Sequence, residues 1–298
     1  MSVICFSFCV PSISERGIIE FRFRRLRVHC YNVFSYRFNR KVTYIMENKV
    51  IALCGKGGVG KTSVSAVIVR TLCQSCPGKR ILAIDGDPSV GLATALGVSE
   101  KGTINDIRED FIRLADQRKD AEAIEMLHEA RDRIFDSLVE TDAFSFLAIG
   151  RPESAGCYCS VNDYLRDLIT IVADHFDYVV IDGEAGIEQI NRRVMEKVNH
   201  LVFVSDASRK GLDVIRTIDT VAKELVVYDR AGVILNRLHD PKVAENLDLG
   251  GLELLAAIGE DPLVQSYDIE GKSLLTLPDD TPLCQGVRTA LQKMEIIA

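Results

Sequence analysis

Short runs of apolar residues alternate with segments of helical periodicity along most of this chain. Val50-Ile51-Ala52-Leu53 is a continuous apolar run, and after a glycine-rich break Val64, Val67, Ile68 and Leu72 recur at helical spacing. Further runs at 80–84, 144–149, 178–181, 201–204, 232–235 and 254–258 read as strands. Between them lie helical patterns such as Val161, Leu165, Leu168, Ile169 and Val172. Strands this apolar on both faces belong in a parallel sheet covered by helices on either side, so the pattern predicts an α/β fold. Residues 101–143 differ, being rich in charge and helix formers, with Ile124, Leu127, Ile134 and Leu138 spaced to bury one face; they read as a helical insertion between the second and third strands. With no internal repeat and no proline-rich linker, residues 46–298 read as one domain.

Composition changes the picture only at the start of the chain. Residues 1–45 hold eight basic residues and two acidic ones, a charge of +6 that leaves −13 on the remainder of a chain whose total is −7. Nine of the 20 aromatic residues also lie there. The extension is foreign in composition to the rest of the chain, and we read it as an upstream translation or an unstructured tail, with Met46 opening the native protein. The acidic remainder argues against general affinity for nucleic acid or anionic membrane, and no run of about 18 apolar residues exists to span a bilayer. The nine cysteines, an odd number without a secretory signal, favour reduced thiols in the cytoplasm.

The chemistry is concentrated in Gly55-Lys56-Gly57-Gly58-Val59-Gly60-Lys61-Thr62. Consecutive backbone N–H groups wrap a triphosphate when few side chains obstruct the approach, and four glycines give that clearance. Gly57, Gly58, Val59 and Gly60 form the cradle, with Lys61 reaching the β and γ phosphates. Thr62 offers a hydroxyl to magnesium, and Ser63 completes the ATP-binding loop. Three more positions follow strands, where ligands of open α/β sheets gather. They are Asp85-Gly86-Asp87-Pro88, whose carboxylates can serve water or magnesium or simply cap a turn; Asp182, an acid suited to water-held magnesium; and Asn236, whose amide suits an adenine edge.

Lys56, Asp85-Gly86-Asp87-Pro88, Asp182-Gly183-Glu184-Ala185-Gly186-Ile187-Glu188 and Asn236-Arg237 together resemble the deviant phosphate loop, two switches and adenine-binding asparagine of the MinD and nitrogenase iron protein class of P-loop ATPases. The resemblance implies that ATP closes a homodimer and that Lys56 reaches the partner's nucleotide. It further implies that Asp87 positions the attacking water, that Thr62 and Asp182 serve Mg2+, and that Asn236 reads adenine. Glu184 departs from the MinD pattern, which usually has proline there.

Gly156-Cys157-Tyr158-Cys159 discriminates within the class. Cysteines at i and i+2 of an extended segment point to one side and grip one soft metal, nickel or zinc. Two ligands are too few for a closed tetrahedral site, and a dimer supplies four. Ser160 and Asp163 read as a capping box, which places Cys159 by a helix N-terminus that favours thiolate. Cys73 and Cys76 read as packing residues, as do Cys54 and Cys284. The cysteine pair with its switches resembles the CooC type of nickel-insertion ATPase. That likeness implies an interfacial Ni2+ or Zn2+ site on Cys157 and Cys159 of both chains, and a client that is carbon monoxide dehydrogenase or, by the related maturation ATPase, acetyl-CoA synthase. An iron–sulfur reductase of the nitrogenase kind would use well-separated cysteines. A MinD- or ParA-like positioning ATPase of the division-site type would end in a basic amphipathic helix, whereas residues 286–298 carry two basic residues and read as a closing helix.

Overall fold

Each of the seven apolar runs coincides with a strand or lies within one. The structure, a computed structural model, describes residues 12–13, 19–22, 27–30, 48–87, 91–117, 120–150, 159–183, 194 and 197–298. The chain divides into two compact units, one of 46–109 with 130–298, the other of 1–45 with 110–129. In the latter, β1 (Ser12–Ile13), β2 (Ile19–Arg22) and β3 (Arg27–Cys30) pair antiparallel. These short strands lie within the extension read from its composition as an upstream translation or an unstructured tail.

The larger unit is built on β4 (Lys49–Gly55), β5 (Ile81–Asp85), β6 (Val139–Glu140), β7 (Ser145–Ala148), β8 (Tyr178–Asp182), β9 (Lys197–Ser205), β10 (Val227–Leu238) and β11 (Glu253–Gly259). Among the described residues they form an eight-stranded sheet in the order β11-β10-β9-β4-β8-β5-β7-β6. Every pairing is parallel except β6 with β7. Parallel strands need crossovers, and helices supply them. The described helices are α1 (Lys61–Ser75), α2 (Gly91–Leu96), α3 (Ile104–Asp116), α4 (Asp120–Ser137), α5 (Cys159–Ala173), α6 (Arg209–Leu225), α7 (Pro262–Glu270) and α8 (Pro282–Lys293); α1, α5 and α6 lie on such connections, α3 and α4 are divided between the two units, and α7 and α8 follow the last strand. Helices α3 and α4 occupy the expected insertion.

Helix α1 is buried on every side from Val64 to Leu72, because the sheet covers one face and α8 packs on another. Even Arg70 is only 6% exposed, and its guanidinium is tied to the Leu275 and Leu277 carbonyls and to Asp279. A buried cation survives only with such partners. Helix α8 spends Leu283, Cys284, Val287, Ala290 and Leu291 in the core, as a closing helix should. No described helix is long and apolar enough to cross a membrane.

Because β10, β9, β4, β8 and β5 are adjacent and parallel, their C-terminal ends line one edge of the sheet. Asn236, Asp206, the glycine-rich loop, Asp182 and Asp85 all lie at or just beyond those ends.

Candidate functional site

The loop begins at Gly55, whose φ of 139° and close approach to the Val204 carbonyl exclude any Cβ. It ends at Gly60, which caps α1 in a left-handed conformation at φ 88°. Lys61 opens the helix and its Nζ donates to the Lys56 carbonyl at 3.2 Å, folding the ammonium over the loop. The N-terminus of α1 thus presents its N–H groups and its partial positive charge to the loop's concavity, an anion site by construction.

Beneath the loop, Asp182 is 1% exposed and accepts from two hydroxyls of α1, Ser65 Oγ at 2.8 Å and the Thr62 side chain. Desolvation lifts its pKa to about 6, in spite of those two bonds and the Lys61 charge. Asp85 sits beside it in register, fully buried, and burial followed by the Asp182 charge lifts it to about 7. Its two oxygens accept from the Asp87 N–H at 3.0 Å and the Leu92 N–H at 2.8 Å. Asp85 is therefore the turn cap of this segment, and Asp87, carried on that turn, is half-buried.

In the nucleotide- and magnesium-free protein these raised values make stability depend on pH. A carboxyl whose folded pKa exceeds the ordinary 3.8 holds a proton that the unfolded chain has released, so stability falls as pH rises through the folded value. His200 works the other way, since burial and then the Lys49 and Arg230 charges depress it to about 4, and the stability it costs is regained as pH rises through 6.5. Between pH 6.5 and 8 the carboxyls outweigh it, and the unfolding free energy in urea is expected to fall by about half a kcal/mol. A flat or rising profile over that interval would contradict the burial of this pair.

Lys56, half-buried, is turned onto its own chain. Its Nζ lies 2.5 Å from Asp206 Oδ2, just beyond β9, and 3.4 Å from Ser208 Oγ, the N-cap of α6. Burial raises the Asp206 pKa, but hydrogen bonds from Lys56 and Ser208 outweigh it and hold the carboxyl below its ordinary value. Asn236 is 5% exposed and its Nδ2 donates to the Val59 carbonyl at 2.9 Å, so one of its N–H groups serves the loop. Beside them opens a cavity of about 330 Å³ lined by Ser63, Asn236, Arg237, Asp261, Gln265 and Asp268, among others. Asp261 caps α7 with one oxygen, while the other is buried without a partner among the described residues.

The structure thus brings together Lys56, the loop 57–63, Asp182 and Asn236. Cys157 lies outside the described residues, as do Pro88 and Glu184 to Glu188. Among the described residues α5 runs from Cys159, so Ser160 and Asp163 are helical positions and not a capping box; Asp163 pairs with Arg166 at 3.3 Å. The Cys159 side chain is outside the described set. Cys73 contacts the Ala143 carbonyl, and burial pushes its thiol up to about 11, while Cys76 meets the Tyr178 hydroxyl. Cys54 and Cys284 are buried. Sequence reasoning passed over Asp206, although it follows Leu201 to Val204 as Asp182 follows its own strand. Ser65 shares a face with Thr62 at i, i+3, a spacing that signals it only once Asp182 is known to lie below.

Residues 50–274 match the CobQ/CobB/MinD/ParA nucleotide-binding domain. The chain belongs to that family. It is a P-loop ATPase of the MinD/ParA type. An uncharacterized ATP-binding protein of Methanocaldococcus jannaschii is 36% identical over 250 residues, 82% of this chain and 98% of its own length. The carbon monoxide dehydrogenase accessory protein CooC of Rhodospirillum rubrum is 31% identical over 252 residues, 81% of this chain and 94% of its own. The cell-division ATPase MinD of Pyrococcus furiosus has a TM-score of 0.61 at 23% identity, covering 84% of this chain and all of that one, a likeness of fold. MinD of Pyrococcus horikoshii, solved with Mg-ADP, gives a TM-score of 0.60 at 23% identity, with 84% of this chain and 97% of that one covered.

Proposed function

We propose that this ATPase is a dimeric metallochaperone that uses ATP to insert nickel into carbon monoxide dehydrogenase or the related acetyl-CoA synthase. The observation that carries the reading is the Cys157-x-Cys159 pair ending at the first residue of α5, in a chain 31% identical to CooC. Two thiolates per chain make half of a tetrahedral soft-metal site, and pairing completes it.

ATP lies with its phosphates in the 57–62 loop and its base in the cavity beside Asn236 and Arg237. Thr62 and Asp182 give the all-oxygen setting that a hydrated magnesium ion suits, and that ion, when bound, neutralises charge between the β and γ phosphates. Lys61 holds the same phosphates from within the chain. Asp87 orients the attacking water. Lys56 leaves Asp206 on dimerisation and places its ammonium on the phosphate oxygens of the partner's nucleotide, where charge accumulates in phosphoryl transfer. Closure draws the two cysteine pairs into one tetrathiolate, and hydrolysis separates them, releasing the metal.

Helix α8 has its apolar face in the core and is therefore not itself a lipid-binding helix. The test of the client is direct. Nickel-loaded protein with MgATP should activate nickel-free carbon monoxide dehydrogenase or acetyl-CoA synthase, and loaded protein with MgADP should not. Failure to activate either enzyme would remove the client assignment.

A further inference from the structure

A phosphate loop works only if its peptides face the right way. Each peptide is a rigid plane, so an N–H turned inward to the phosphates requires that its carbonyl be turned outward. Gly58 and Gly60 stand at φ 77° and 88°, and glycine crosses between conformations at little cost. The freedom that shapes the cradle also lets a peptide flip, and a flipped peptide would set a carbonyl oxygen against the phosphates.

Two outward carbonyls of this loop are held. Arg237 Nη1 donates to the Gly58 carbonyl at 2.9 Å, and Asn236 Nδ2 donates to the Val59 carbonyl at 2.9 Å. Both side chains come from β10, beyond β9 from the loop's own strand, so the loop is tied to a separate part of the sheet. Arg237 adopts φ 58°, a left-handed conformation uncommon for a long side chain, which the surroundings must impose. The fit is close, since a Cβ on Gly60 would lie 2.8 Å from Asn236 Nδ2 and 3.6 Å from Arg237 Nε.

We propose that Asn236 and Arg237 are positioning residues that lock the 58–59 and 59–60 peptides with their N–H groups inward, so that the empty loop is already an anion site. For Asn236 this role is additional to reading adenine, and it leaves Oδ1 to accept from the base. For Arg237 it is the whole role. The lock acts on phosphate binding and is independent of the metal and of the client, so it stands or falls equally in a variant lacking Cys157 and Cys159.

Base-free Mg-tripolyphosphate separates the lock from a base contact. Arg237→Asn tolerates the left-handed backbone and removes the guanidinium. It is expected to weaken Mg-tripolyphosphate and MgATP by the same factor, about five- to tenfold, the net scale of one hydrogen bond. Arg237→Lys, which keeps a donor, should recover at least half of the loss on a logarithmic scale. In the nucleotide-free protein, Arg237→Asn should also speed amide exchange several-fold across 57–61 and leave β11 unchanged. Tripolyphosphate affinity within twofold of the parent, loss without recovery by lysine, or unchanged exchange in the loop would each overturn the proposal.

Discussion

Replacing Lys56 by alanine is expected to abolish MgATP-dependent dimerisation and to lower the ATPase turnover by about 10³-fold or more, while leaving binding of MgATP to the monomer largely intact. The scale is that of a single cation delivered in trans to a transferring phosphoryl group. Binding survives because Lys61 and the 57–60 amides are untouched. The structure explains why the loss falls on closure. Lys56 is held by one carboxylate, Asp206, with side chains 27% and 32% exposed, and an ion pair this open to water contributes about 1 kcal/mol or less. On the proposed reading a partner's triphosphate presents more charge and would exchange the lysine readily. The companion expectation follows from the same balance: Asp206→Asn removes the competing charge and should strengthen MgATP-dependent pairing by about fivefold. Sedimentation velocity and phosphate release read both variants. A Lys56→Ala protein that dimerises and hydrolyses normally would break the proposed link between nucleotide and assembly.

The double variant Cys157→Ser, Cys159→Ser is expected to lose stoichiometric binding of nickel and zinc, with affinity reduced more than about 10³-fold, and to keep its MgATP affinity. Serine is nearly isosteric but is a hard, neutral ligand where a soft anionic one is needed. Cys159 is the first described residue of α5, and a helix N-terminus favours thiolate, so on the proposed reading its replacement removes a metal ligand. The nucleotide loop is carried by β4 and α1, elements separate from α5, so its binding should not follow. Metal analysis after desalting, with nucleotide titration on the same sample, measures both quantities. Normal metal content in the double variant would move the site elsewhere, and Cys73 with Cys76 is poorly suited to receive it, since the half-buried Cys73 thiol is pushed up to about 11.

Much of this was legible in the chain because the chemistry is local. The loop 55–62, Asp182 and Asn236 are each set by a few neighbouring residues, and an apolar run that is buried on both faces announces a parallel strand wherever it falls. What escaped is non-local or mixed in pattern. Strand β10 begins at Val227, well before the apolar run at 232–235, because its first residues are largely exposed and polar yet still pair with β9. Strand β6 is two residues long at the sheet edge, too short for any periodicity. Asp206 and Ser65 gain meaning only from what the fold sets beside them, Lys56 and Asp182. Arg237 was legible as part of a motif, whereas its hold on Gly58 is a contact across 179 positions that no spacing rule reaches.

The central claim is that ATP builds the metal site by pairing two chains. Metal content and mass should therefore be measured on one anaerobic sample, by size-exclusion chromatography with light scattering and elemental detection, with nickel or zinc and either MgADP or a slowly hydrolysed MgATP analogue. The account predicts one tightly held metal ion per two chains, co-eluting with a dimer that forms with the ATP analogue and not with ADP. A metal ion held equally well by the ADP-bound monomer, or an ATP-bound dimer that holds none, would contradict it.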